Sequence, residues 1–299
     1  MSIETIYKNL LTQLDRLHRH NRQGSYQTRG RYYEAMKRFC RFLAENYRLE
    51  RLANIGPKHI RAYVEYLQES GKSASTIKTD LAAIRFFHDQ MPDPRHELPK
   101  NSELDLEQRS FGKIDRTWSD AEFKTICTLA ERDGKHDYVT ILHLARYAGL
   151  RIHECFWLDT ATAAKAIKLH ILTVRGKNGL IRDVPISDDL CARLKDAMER
   201  VPRGKKLFVP DGKKTHDAIH ALQEYIWRNR ELMQDEDSDR PMSFHGLRHT
   251  FAAEEYLDMT EQGRSTASAE KTVSELLGHH RRDVTRIYLS SLKRGGGDG

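Results

Sequence analysis

The sequence predicts a mainly α protein with a small β-sheet, organised as an N-terminal helical bundle followed by an α+β domain. Three observations carry that expectation. Within residues 1–91, four stretches place apolar side chains at helical spacing. Residues 92–116, PDPRHELPKNSELDLEQRSFGKIDR, contain three prolines and no sustained period, as an interdomain linker does. Over 117–299 helical patterns resume around one clear pair of strands.

The first helix is expected over residues 2–19, where Ile3, Ile6, Leu10, Leu14 and Leu17 form a stripe. A second, from about Tyr26 to Tyr47, sets Tyr32, Met36, Phe39 and Leu43 on one face and leaves Arg29, Arg31, Lys37, Arg38 and Arg41 on the others. Pro57 fits the first position of a third helix, which ends before Gly71 and turns Ile60, Tyr63, Val64 and Leu67 inward. A fourth begins at Ser75 with Ile77, Leu81, Ile84 and Phe87 as its stripe, and Lys72, Lys78 and Arg85 lie in or beside it.

In the second half, Ser119-Asp-Ala-Glu122 reads as a capping box for a helix bearing Phe123, Ile126 and Leu129. The apolar helix YVTILHLARYAG ends near Gly149, so Arg151 falls at a helix end or turn, with Glu154 placed to brace it or to join the next helix. AIKLHILTV and LIRDVPI flank Arg-Gly-Lys-Asn-Gly, which predicts a hairpin with Lys177 at its tip. Helices follow at about 187–200 and 214–232, then an acidic loop, residues 235–239, then a helix starting in HGLRHTFAAEEYL. The Gly- and Ser-containing stretch 258–270 is expected as a surface loop.

Charge and composition narrow the function classes. Fifty Lys and Arg against 43 acids give a formal charge of +7, a balance suited to a polyanionic partner. The four cysteines, Cys40, Cys127, Cys155 and Cys191, form no C-x-x-C pair and read as buried thiols of a reducing compartment. No run reaches the ~20 apolar residues of a membrane span, and MSIETIYKNL lacks the apolar core of a signal peptide; the expected location is the cytoplasm, at the nucleoid. Fifteen histidines raise the question of a metal, but neither HEXXH nor a Cys/His ligand set occurs, so no metal and no cofactor is expected.

Polar residues fit to act on a phosphodiester cluster in the last third: His245, Arg248 and His249 in HGLRH, His279 in LGHH, and Tyr288 nine residues later. A phosphodiester repels nucleophiles, and attack on it builds further negative charge, so fixed cations are the main need. Arginine meets it best, since its planar fork grips two oxygens and keeps its charge. The three islands around Arg151, Lys177 and His245–Tyr288 resemble, in order and over residues 117–290, those of the tyrosine recombinase (phage integrase) family.

That resemblance implies a SAM-like core-binding domain over 1–91, a linker over 92–116 and a catalytic domain over 117–299. It implies a site-specific recombinase or integrase, such as mobile elements carry, acting on double-stranded DNA at a specific recombination site. Arg151 and Arg248 would hold the scissile phosphate with His245 and His279; Tyr288 would attack, leaving a 3′-phosphotyrosine, and Lys177 would protonate the departing 5′-oxygen. His245 is a candidate to take the tyrosine's proton, though the sequence leaves the division of roles between the two histidines open. Glu154 and His249 would support these groups, and Lys72, Lys78 and Arg85 would touch DNA. Rejoining would need neither ATP nor metal, and a monomer in free solution would assemble as a homotetramer on DNA, with any accessory proteins undetermined. Two other readings share these residues or this fold: a type IB topoisomerase and a non-catalytic DNA-binding regulator.

Overall fold

The computed structural model describes residues 1–19, 23, 26–107, 115–176, 179–236, 238, 240–278, 285 and 287–289. The chain divides into two units, Met1–Ser110 and Phe111–Gly299.

The first unit is a helical bundle: α1 (Ile3–Arg19), α2 (Tyr26–Tyr47), α3 (Pro57–Glu69) and α4 (Ala74–His88). Its core takes Ile6, Leu10 and Leu14 from α1, Met36, Phe39 and Leu43 from α2, Tyr63 and Leu67 from α3, and Leu81, Ile84 and Phe87 from α4, the stripes that periodicity marks. Ser73 caps α4 by accepting the Thr76 N–H at 3.3 Å. One charge is buried here: Asp80 accepts both a 2.9 Å and a 3.0 Å bond from Arg38, and the Tyr63 hydroxyl stands 3.4 Å away. Burying that carboxylate is tolerable because one guanidinium nitrogen, Nη2 of Arg38, donates to both of its oxygens.

Part of the stretch read as linker packs onto this bundle. Leu98, Leu104 and Leu106 join its core. Arg85 donates to the Pro99 carbonyl at 2.6 and 3.1 Å and to Asn101 at 2.9 Å, and Lys78 donates to the Glu107 carbonyl at 2.7 Å. Two of the basic residues expected at DNA therefore hold down the chain's own exit from α4, while Lys72 lines an open depression beside Tyr66 and Thr76.

The second unit carries α5 (Asp120–Arg132), α6 (His136–Ala148), the single-turn α7 (Ile152–Cys155), α8 (Thr160–Leu169), the antiparallel pair β1 (Ile171–Arg175) and β2 (Ile181–Pro185), then α9 (Asp188–Glu199), α10 (Thr215–Met233), α11 (Phe244–Glu261) and α12 (Thr266–Leu277). The capping box at Ser119 and Glu122 forms as the sequence indicates. Glu122 is wholly buried, and its second oxygen takes Arg240 at 2.8 Å and the Asp235 N–H at 3.2 Å, which fastens the acidic loop to the start of α5. The four cysteines are free and buried. No helix among the described residues is long and apolar enough to cross a membrane.

Two sequence expectations are corrected. The strand read from Ala166 begins only at Ile171, because Asp159 caps α8 through the Thr162 N–H at 2.7 Å and the alanine-rich run to Leu169 favours helix. The loop expected over 258–270 is mostly helix: α11 continues to Glu261, and Ser265 starts α12 by accepting the Ser268 N–H. Local capping outweighed the Gly and Ser content on which the loop reading rested.

Gly149 closes α6 in the left-handed region, at φ 59°, and a β-carbon there would collide with the Phe251 ring of α11. Gly149→Ala combines backbone strain with overpacking and is expected to lower unfolding stability by roughly 2–5 kcal/mol. Urea unfolding of the full chain checks this; a loss below about 1 kcal/mol would mean that α11 yields at this contact.

Candidate active site

Three helix ends meet at one place in the second unit. α6 ends at Gly149, α7 begins after Arg151, and α12 ends at Gly278, again left-handed at φ 62°. The last carbonyls of such helices point outward without helical partners and carry the negative end of the helix dipole, so they attract cations. Arg248, in the second turn of α11 and 0% exposed, donates to the carbonyls of Gly149 and Leu277. Arg151 reaches the same Leu277 carbonyl at 3.4 Å. Two guanidiniums far apart in sequence thus converge on one main-chain oxygen.

Like charges held together need a counter-ion, and Glu154 supplies it. Its carboxylate is 2% exposed and accepts four bonds, two from Arg151 (backbone N and Nη1, each 2.8 Å) and two from Arg182 (Nη1 at 2.9 Å, Nη2 at 2.7 Å). Burial would raise this carboxyl, but hydrogen bonds and charge from Arg182, the Arg151 N–H and the charge of Arg248 outweigh it and hold the group at about 2. Burial and the neighbouring charge of Arg151 lower the Arg248 guanidinium to about 10, still charged at neutral pH. The Arg151 side chain keeps 21% exposure and, with His153, His245, Arg248, Gln223 and Trp227, lines a cavity of about 400 Å³.

Tyr288 lies in a helical turn that follows α12 and is buried against Phe251, Ala252, Val273 and Leu277. Its hydroxyl stands 3.3 Å from Nε2 of His245, and its ring stacks on His249 with centroids 4.2 Å apart and planes 21° from parallel. The Arg248 guanidinium carbon lies 5.8 Å from the centre of that ring. His245 meets solvent at one edge, yet desolvation and the charges of Arg248, Arg116 and Arg151 lower it to about 4. His249 is buried, and desolvation, followed by the nearness of His245 and Arg116, lowers it to about 3, against a hydrogen bond to the Tyr288 backbone. Both rings are neutral at pH 7.

Of the residues singled out from the sequence, Arg151, Glu154, His245, Arg248, His249 and Tyr288 are brought together; Lys177 and His279 lie outside the described residues. Arg182 was missed. It faces inward from the second position of β2, opposite Val174, while its neighbour Ile181 is 66% exposed. Its place two residues before Val184, on the same face of the strand, was the available signal.

The chain matches the model described as "Phage integrase family" over residues 118–294 and that described as "Phage integrase, N-terminal SAM-like domain" over residues 12–91. Its relatives include tyrosine recombinase XerD of Halalkalibacterium halodurans, 22% identical over 88% of this chain and 86% of the relative. Tyrosine recombinase XerC of Natranaerobius thermophilus is 24% identical over 88% of each. Similar solved structures include a lambda integrase(75-356) dimer bound to a COC' core site (TM-score 0.65, 19% identity, 94% of this chain and 95% of that one). XerH bound to a palindromic difH substrate is another (TM-score 0.63, 18% identity, 93% and 80%).

The buried neutral His249 makes stability depend on pH. Its folded value, about 3, lies below the ordinary 6.5, so between these limits the unfolded chain binds a proton that the folded chain refuses, and stability falls as pH drops below 6.5. Above pH 4.5, before the carboxylates titrate, the loss attributable to this ring is roughly 2 kcal/mol. His249→Phe, which keeps a ring in the stack, is expected to flatten the decline between pH 6.5 and 4.5 by about that amount. Denaturant titrations at a series of pH values measure it, and parallel curves for the two proteins would place the charge elsewhere.

Proposed function

The chain belongs to the phage integrase family of tyrosine recombinases, enzymes that cleave and rejoin DNA strands, and from that premise we propose that Tyr288 is its nucleophile and that Arg151 and Arg248 bind the scissile phosphate. The observation that carries this reading is the convergence of both arginines on the Leu277 carbonyl, with the Tyr288 hydroxyl against His245 beside them. A phosphate oxygen is a stronger acceptor for a guanidinium than a carbonyl, so the scissile group, seated in the cavity that Arg151, His245 and Arg248 line, relieves the repulsion between the two cations.

The steps then balance. The Tyr288 oxygen attacks phosphorus while its proton passes to Nε2 of His245, which is neutral and has a lone pair to offer. The anionic phosphate offsets the cations that depress His245 and so raises its basicity when DNA is bound. The bond from phosphorus to the 5′-oxygen breaks, Lys177 gives that oxygen a proton, and a 3′-phosphotyrosine remains. Attack by a 5′-hydroxyl reverses the sequence and rejoins the strand, with no need for ATP or a metal, because the phosphodiester bond energy is retained and the arginines supply the charge. His279 adds a hydrogen bond to the phosphate, Glu154 braces Arg151, and His249 holds the tyrosine ring from behind.

The same reading gives residues 1–91 the role of a core-binding domain, 92–116 that of a connection, and 117–299 that of the catalytic domain. The substrate is double-stranded DNA at a specific site, with Lys72 among the candidate contacts in the first domain; the work takes place in the cytoplasm, at the nucleoid. Exchange between two duplexes cuts four strands, which calls for four active sites and hence a homotetramer formed on DNA from monomers.

The test uses a nicked duplex carrying a site that the protein has selected from a random-sequence pool. Tyr288→Phe is expected to bind this duplex as the wild type does and to form no covalent adduct on a denaturing gel, since only the phenolic oxygen is lost; an adduct from the variant would falsify the assignment. Arg248→Ala is expected to cleave about 10²–10³-fold more slowly. Lys177→Ala is expected to recover on a 5′-bridging phosphorothiolate, whose sulfur leaves without a proton. Recovery of Arg248→Ala but not of Lys177→Ala on that substrate would assign the general acid to another group.

A further inference from the structure

Arg182 has no part in the chemistry above, yet it occupies the crossing point of the second unit. We propose that it is a positioning residue, which fixes Arg151 through Glu154 and sets the main chain that leads into Lys177 and His279. The proposal rests on the reading of Arg151 as a phosphate ligand.

The first support is the geometry of the shared carboxylate. A carboxylate has about four acceptor directions, and at Glu154 all four are filled, two by Arg151 and two by Arg182. Each oxygen takes one bond from either partner, so the plane of the carboxylate cannot turn toward one arginine without breaking a bond to the other. Arg182 is itself fixed, buried in the paired part of β2 opposite Val174. The aim of Arg151 is thereby referred to the hairpin rather than left to a rotatable side chain.

The second support is what closes over Arg182. A β-carbon on Gly278 would lie 3.1 Å from its Cδ, and one on Gly176 would lie 3.5 Å from its Nη1 and 3.3 Å from Oε1 of Glu154. Gly176 immediately precedes Lys177, and Gly278 immediately precedes His279. The backbone entering each of these two residues is therefore pressed against the same arginine–carboxylate pair. The Gly176 N–H, bonded to the Leu180 carbonyl at 2.7 Å, holds the base of the hairpin loop at that spot.

The experiment compares the wild type, Arg182→Met, and the double variant Arg182→Met/Glu154→Gln, in which no buried carboxylate is left unpaired. Each is given the selected nicked duplex with either an ordinary scissile phosphate or a methylphosphonate, which lacks the negative charge that Arg151 serves. Covalent adduct is timed on denaturing gels, and duplex binding and thermal melting are followed in parallel. Both variants are expected to bind the duplex and melt cooperatively. On the phosphodiester they are expected to cleave on the order of 100-fold more slowly, the scale of a misaligned catalytic group. On the methylphosphonate the deficit is expected to shrink to about 3-fold or less, since the misplaced guanidinium then has little charge to neutralise. An equal deficit on both substrates, undiminished phosphodiester cleavage, or a double variant that does not fold would each overturn the positioning role and leave Tyr288 and the arginine pair intact. Absence of any adduct from the wild type would overturn the reading of the site itself.

Discussion

The second unit depends on the neutralisation of three arginines by one buried carboxylate. Arg151 and Arg182 both close on Glu154, and the charge of Arg248 also acts on it. Isolated charges in a protein interior are expensive, and a carboxylate that met one arginine alone would leave the others unmatched. The remaining positive charge falls on helix C-termini, where the carbonyls of Gly149 and Leu277 face it. The cluster keeps an excess of positive charge over the single carboxylate of Glu154. On the proposed reading, the phosphate held by Arg151 and Arg248 completes the balance.

The histidines divide into two environments on one helix. His245 and His249 are four residues apart, so α11 presents them on the same face, one turn after the other, with ring centroids 5.0 Å apart. His245 keeps an edge in solvent and a nitrogen at the tyrosine hydroxyl, while His249 is buried beneath the tyrosine ring. On the proposed reading, one is placed to exchange a proton with Tyr288, and the other to keep that ring from turning away.

Much of this was legible in the sequence because it follows from periodicity and from side chains with few alternatives. The helical stripes of the first unit, the cap at Ser119 and the inward pairing of Arg151 with Glu154 all rest on short-range rules. Arg182 was passed over because a charged side chain is ordinarily read as facing solvent, although period two puts it on the same face as Val184. The packing of Leu98, Leu104 and Leu106 on the bundle was hidden by prolines that break the period without freeing the chain. The start of α12 at Thr266 turned on the serine cap at Ser265, close to the Gly263 turn that follows α11.

The acceptor that Arg151 and Arg248 share is the carbonyl of Leu277, an atom of the main chain. Every amino acid supplies that oxygen, so replacing Leu277 by another residue that keeps the helix alters the packing of α12 and leaves the acceptor where it was. A side-chain scan would report the packing of a buried leucine, blind to the atom on which two arginines converge. Only a change in the backbone itself, such as an ester in place of the amide between Leu277 and Gly278, weakens the oxygen as an acceptor. Part of the proposed phosphate site is thus written in the path of the chain, and it is inherited with the fold rather than with any one residue.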